Sequence, residues 1–157
     1  MNLKYIYYLL FVVLLSSSCG SGSDSDLKRI VTERFSNGKP KVVQFLTNSK
    51  DTTSSIRRIS YFDNGQIQMD GGVSKGNRDG EWKSYRSGGQ KWSIVNYKKG
   101  YREGITENWR DNGNRNYIGY YKNDKKHGIW QFFDYYTGKL LKEVYFEKDI
   151  QIKEEEY

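Results

Sequence analysis

One cysteine, one histidine and one proline in 157 residues exclude several kinds of chemistry at the outset. A lone thiol has no partner for an internal disulfide. One cysteine and one histidine cannot build a zinc site, and the carboxylates follow no calcium-loop spacing. Hydrolytic or transfer chemistry needs a nucleophile, a base and a group to orient them. The only histidine, His127, stands where equivalent segments carry Asp79 and Glu103, which reads as a solvated turn position. No enzyme, metal or cofactor is therefore expected. Long apolar runs are scarce as well. Hydrophobic residues make up 36% of the chain and the mean hydropathy is -0.88, too little for a thick globular core. Aromatics are abundant instead, at 16%, with 14 Tyr against 7 Phe and 4 Trp. A thin sheet that packs amphipathic rings on its faces reconciles the two.

The net charge is +7, falling to +6 once Lys4 is removed. The basic residues are interleaved with acids and form no dense stripe, so nucleic-acid binding is not expected. Glu103, Glu107 and the terminal Glu154, Glu155 and Glu156 read as surface charge.

The one long apolar run is Tyr5–Leu15. It is shorter than the roughly 20 residues a bilayer-spanning helix needs and fits a secretory signal helix, with Lys4 before it and small residues Ser16–Ser18 after it. The segment "LSSSCG" resembles a bacterial lipobox, which implies lipidation of Cys19 as the mature N-terminus. Ser16 departs from the usual leucine at its position. The reading is a signal peptide over 1–18, an acylated Cys19 beginning a flexible tether over 19–33, and a repeat domain over 34–157. Gly and Ser in "GSGSDSD" loosen the tether, and its two Asp keep it hydrated. The resemblance implies export to a bacterial cell envelope, at the outer membrane in a cell with two membranes.

The repeat emerges when the chain is written in rows of 24: 61–84, 85–108 and 109–132, with a degenerate copy from 133 and a looser one at 34–45. Gly65, Gly89 and Gly113 form one column, and Gly80, Gly104 and Gly128 a second. An aromatic opens each row at Tyr61, Tyr85, Trp109 and Phe133. Trp82 and Trp130 share another column, with Thr106 the exception. A fixed period of this length marks a repeat architecture in which each unit buries its apolar side against neighbours. Asn64-Gly65, Gly88-Gly89 and Asn112-Gly113 suit type I′ hairpin turns. The second column reads as polar four-residue connections ending in glycine. Segments such as "QKWSIVNY" and "NRNYIGYY" are β-formers. The fold predicted is all-β, an elongated antiparallel meander of hairpin repeats of about 24 residues.

In "DGEWKSYRSGGQ" and "HGIWQFFDYYTGKL" the pattern resembles the variant MORN repeats of bacterial proteins called YwqK-family antitoxins. Tyr61, Asn64, Gly65, Gly76, Gly80, Trp82 and Tyr85 match that pattern in the first row, while Thr106 and Asp124 depart from it later. The resemblance implies a non-catalytic protein-binding module whose partner could be a toxin. The alternative is an envelope lipoprotein that binds glycan or a membrane surface. Trp82 and Trp130 are expected to be core. The candidate binding surface is Trp92, Tyr97, Trp109, Tyr120 and Tyr121, with Trp92 foremost because its column mates are Gln68 and Asn116.

Overall fold

The computed structural model describes residues 27–47 and 55–157. Among them, strands β1 (Lys28–Arg34), β2 (Pro40–Leu46), β3 (Ser55–Tyr61), β4 (Ile67–Ser74), β5 (Asn77–Tyr85) and β6 (Lys91–Lys98) follow one another in the chain. Then come β7 (Tyr101–Trp109), β8 (Arg115–Lys122), β9 (Lys125–Phe133), β10 (Leu140–Glu147) and β11 (Ile150–Glu156). All eleven form one open antiparallel sheet whose spatial order is the chain order. At about 4.8 Å per strand interval the sheet is about 48 Å wide. The predicted hairpin meander is therefore the fold.

The turns differ from the sequence reading in an instructive way. Positive φ at both central residues, the type I′ requirement, occurs at Lys75-Gly76, Lys99-Gly100, Asn123-Asp124 and Lys148-Asp149. At the expected place, Asn64-Gly65, only the glycine is left-handed (φ 88°). There Gly65 N–H donates to Phe62 O (2.9 Å) and Phe62 N–H to Gln66 O (2.8 Å), a three-residue loop that ends in a glycine bulge. The asparagine reinforces this loop, its Oδ1 accepting from Gln66 N–H at 3.0 Å. This local bond suits a right-handed Asn64. The same bonding recurs at Arg86–Gln90 and Arg110–Asn114.

The second glycine column is a further correction. Gly80, Gly104 and Gly128 do not end connections; they lie inside β5, β7 and β9 with φ of 77°, 113° and 68°. Val73 opposes Arg78 and Gly71 opposes Trp82, so β5 spends four steps where β4 spends two. The same offset recurs between β6 and β7 and between β8 and β9. Each is a bulge that only a left-handed residue completes. The next hairpin then folds back onto it: Gly100, Asp124 and Asp149 N–H donate to Arg78, Arg102 and Lys126 O.

The N-terminal boundary also moves. Lys28–Arg34 pairs with β2, so residues 28–33, expected in the tether, belong to the sheet. Ile30 and Val31 give that segment the β-formers that pair it. Cys19, the signal segment and residues 20–26 lie outside the described residues.

From β5 to β10 the core lies on one face, while Val43 and Ile59, buried on β2 and β3, share the row of Asp70, Lys83 and Ile94 on the other. Trp82, Thr106 and Trp130 are buried at equivalent places on β5, β7 and β9, with Val144 and Phe146 beside Trp130. Their cross-strand neighbours are Gly71, Val95 and Gly119. Each indole lies over a glycine and donates its N–H to the neighbouring strand, Trp82 Nε1 to Gly72 O (2.7 Å) and Trp130 Nε1 to Tyr120 O (3.2 Å). In the middle repeat, Thr106 is smaller than Trp and Val95 fills the space a glycine would leave.

Candidate functional site

The bulges aim one cation per repeat across the packed face. Arg78, Arg102 and Lys126 stand 24 residues apart, each at the start of its bulge. The Arg78 guanidinium carbon sits 4.4 Å from the Trp82 ring centre and 5.2 Å from that of Tyr97. Arg102 lies 3.9 Å over Tyr121, and Lys126 Nζ lies 4.8 Å from Trp130 and 4.7 Å from Phe146. Cation and ring thus alternate across the strands, each pair contributing on the order of 0.5–1 kcal/mol at a partly exposed site. Arg78 Nη1 also donates to Tyr97 Oη (3.0 Å). Arg102 Nε donates to Asp124 Oδ1 (3.0 Å), which also accepts from Arg102 N–H (2.7 Å). These bonds hold the Asp124 carboxyl below its ordinary range, the backbone bond most of all. Burial pushes the Tyr117 and Tyr121 phenols up. Around these pairs the face is covered by its own side chains.

The opposite face is different. Ile105 opposes Tyr120 and Ile129 opposes Tyr145. All four are at least 38% exposed, and each alternates with a residue of the packed face. They form an apolar stripe from β7 to β10. Beside it runs a mixed row in which Ile94, Glu107, Ile118, Gln131 and Glu143 oppose one another in turn. Arg115 pairs with Glu107 at 3.1 Å, and Gln131 donates to Glu143 at 2.7 Å. An apolar stripe rimmed by polar groups is the anatomy of an interaction surface.

A third feature lies toward the glycine-bulge turns. Trp92 is 49% exposed and stands between two open depressions of about 340 and 380 Å3. Gln68, Met69 and Arg86 line one; Arg86, Asn108, Trp109, Asp111 and Asn116 line the other. Asn108 Nδ2 donates to Trp92 O (2.9 Å), and Asn116 Nδ2 to Asn108 Oδ1 (2.9 Å). Asp111 Oδ1 accepts from Tyr135 Oη (3.1 Å), which holds its carboxyl low.

The five candidate residues are thereby divided. Tyr97 and Tyr121 are half-buried members of the packed face, edge-on to Trp82 and Trp130. Tyr120 belongs to the exposed stripe on the other face. Trp109 is half-buried with Lys91 Nζ 4.6 Å from its ring. Trp92 is the exposed one of the two Trp in that group. The glycines of both columns and Trp82 and Trp130 serve turns, bulges and core. Sequence reasoning missed Ile105, Ile129 and Tyr145, although the 24-residue spacing of the two isoleucines was a usable signal. His127 Nδ1 lies 3.4 Å from Glu147 Oε2 in a depression with Lys122, Lys125 and Lys148. Among the described residues no three His, Cys, Asp or Glu converge on a metal position.

Fold and faces together define a β-hairpin repeat sheet that from β5 to β10 has one packed face and one open face, the architecture of a repeat-based binding module. Residues 78–99 match the family model described as the MORN repeat variant. That stretch runs from the Arg78 cation through the bulge, buried Trp82, the tip turn and β6 to Lys99. No curated protein matches the chain.

Proposed function

We propose that this chain is a non-catalytic, lipid-anchored binding protein that docks a protein partner on the open face of its sheet. The observation that carries this reading is the stripe Ile105–Tyr120–Ile129–Tyr145, apolar and exposed on four successive strands. A soluble surface leaves such a stripe uncovered at a cost, and a partner's apolar side chains remove it from water. In the sharper form the partner is a toxin and the chain acts as an immunity-like antitoxin. That form draws on the likeness to YwqK-family proteins. Anchoring through Cys19 at the envelope draws on the lipobox-like "LSSSCG".

Two experiments test it. A photo-crosslinking residue at 129 should trap one discrete protein in intact cells, and the same probe at 126, on the packed face, should not. Equal trapping from both positions, or none from 129, would refute docking on the open face. Separately, Cys19→Ala should abolish fatty-acid labelling and release the chain from membranes; unchanged labelling would remove the anchor. The alternative reading, a glycan or membrane-surface binder, is favoured by one observation of its own, the exposure of Trp92.

A further inference from the structure

We propose that Trp92 and the two depressions beside it form a glycan-binding site, specific for equatorially linked hexose or N-acetylhexosamine chains. The site is separate from the protein-docking stripe. Its walls include Met69 and Asn108, which lie in the row of Ser84, Ser93 and Tyr117 on the face of Trp130.

The argument begins with the indole. Trp82 and Trp130 each cover a glycine and spend their N–H on a carbonyl. The Trp92 indole makes neither a ring contact nor a hydrogen bond among the described residues. It projects as a fin, 49% exposed, and leaves a flat apolar surface and an N–H donor available.

The depressions are lined by the rings of Phe62, Tyr85, Trp109 and Tyr135 and by planar polar groups, three of which are already ordered. Asn108 is fixed by the Trp92 carbonyl, Asn116 by Asn108, and Arg86 by donation from Nη2 to Trp109 O (3.0 Å). Asn116 Oδ1, Asp111 Oδ2 and the Gln68 amide have no hydrogen-bond partner among the described residues. Such a surface offers donors and acceptors beside the Trp92 ring, with Arg86, Asn108 and Asn116 already held in place, which lowers the ordering cost of binding.

That combination selects the ligand. A peptide anchor wants an enclosed apolar pocket, and both depressions are open, the second edged with the amides of Asn108 and Asn116. A nucleic acid wants uncompensated cations, whereas Arg86 already serves a carbonyl and Asp111 adds negative charge. A pyranose with equatorial substituents presents axial C–H groups as a flat apolar face, which stacks on an indole, and a rim of hydroxyls, which amides and carboxylates bind in pairs. Gln68, Trp92 and Asn116 recur at 24-residue spacing on β4, β6 and β8. They therefore lie about 10 Å apart across the strands, about 19 Å from first to last. A linear chain laid across the strands meets an amide, an indole and an amide in succession.

The test is titration of the full-length protein in detergent with chitohexaose, cellohexaose and, as the α-linked control, maltohexaose, followed by tryptophan fluorescence and calorimetry. Saturable binding of either β-linked chain is expected, with maltohexaose at least tenfold weaker. Trp92→Ala should weaken binding at least tenfold, and Asp111→Asn and Gln68→Ala severalfold, each variant keeping the circular dichroism spectrum of the folded parent chain. If Trp92→Ala fails to fold, the other two variants decide. Absence of saturable binding to both β-linked chains would overturn the proposal. So would equal binding of maltohexaose, or affinity unmoved by the substitutions. Crosslinking from position 129 reads the other face, so failure here leaves the protein-docking reading standing, and the reverse also holds.

Discussion

The Trp130 indole lies so close over Gly119 that a Cβ built on that glycine would sit 2.2 Å from the ring. Trp82 and Gly71 repeat the relationship at 2.3 Å. Ring and glycine are one unit: the large side chain is buried only because its neighbour has none. Gly119→Ala should therefore destabilise the sheet by about 1–3 kcal/mol, the usual cost of overpacking. Urea unfolding checks this, and an unchanged midpoint would mean the indole has another place to go.

The middle repeat makes the same point in reverse. Thr106 is buried, donates from Oγ1 to Ile94 O (3.2 Å), and is flanked by Val95 where the other repeats have glycine. Thr106→Trp alone should be destabilising because Val95 occupies the ring's site. Adding Val95→Gly should recover at least about 1 kcal/mol of that loss as a coupling energy. A double-mutant cycle by chemical denaturation measures it; strict additivity would show that the two positions do not share a space.

Tryptophans in this chain should differ sharply in their contribution to stability. Trp130, 1% exposed, should cost about 3–5 kcal/mol on truncation to alanine. Trp92→Ala should cost no more than about 1 kcal/mol. Thermal melts of the two variants separate a core ring from a surface one.

Acid should loosen the sheet partly through Asp124. Its carboxyl is held below the ordinary value of 3.8, first by the Arg102 backbone N–H and then by the guanidinium. A depressed folded value means that the unfolded chain binds the proton more readily. The contribution is therefore complete above 3.8 and is lost as pH falls through the folded value. Asp124→Asn should flatten part of the decline in melting temperature between about pH 5 and pH 2. Asp111 and Asp134, also held low, keep the remainder. A slope identical to that of the parent chain would show that this contact contributes nothing to stability.

Periodicity made the repeat legible. A glycine every 24 residues fixes where the backbone must turn left-handed, and that survives without coordinates. The role of each glycine was harder to read. Asn64-Gly65 has the composition of a type I′ turn, yet the side chain of Asn64 bonds its own loop and only Gly65 goes left-handed. Gly80 has the composition of a connection, yet it completes a bulge, because residues 77–79 are already paired or committed to the next hairpin. Those bulges insert residues on alternate strands, which is why in-out alternation fails when read along the chain. Consequently Tyr120 and Tyr121, equivalent by type, could not be assigned to faces before the register was known. The cation column was visible as Arg78, Arg102 and Lys126, but its meaning depends on rings that arrive from the following hairpin.

Because every strand among the described residues pairs only with its neighbours in sequence, no strand pairing there ties β1 to β11. Tension applied at the two termini acts at opposite edges of the sheet, so hydrogen bonds open in succession instead of sharing the load. Such a sheet yields by peeling, one hairpin at a time from either edge, and each released pair of strands adds slack chain while the next repeat still holds. Mechanically it is a zipper whose resistance is set by a single repeat, whatever the number of repeats.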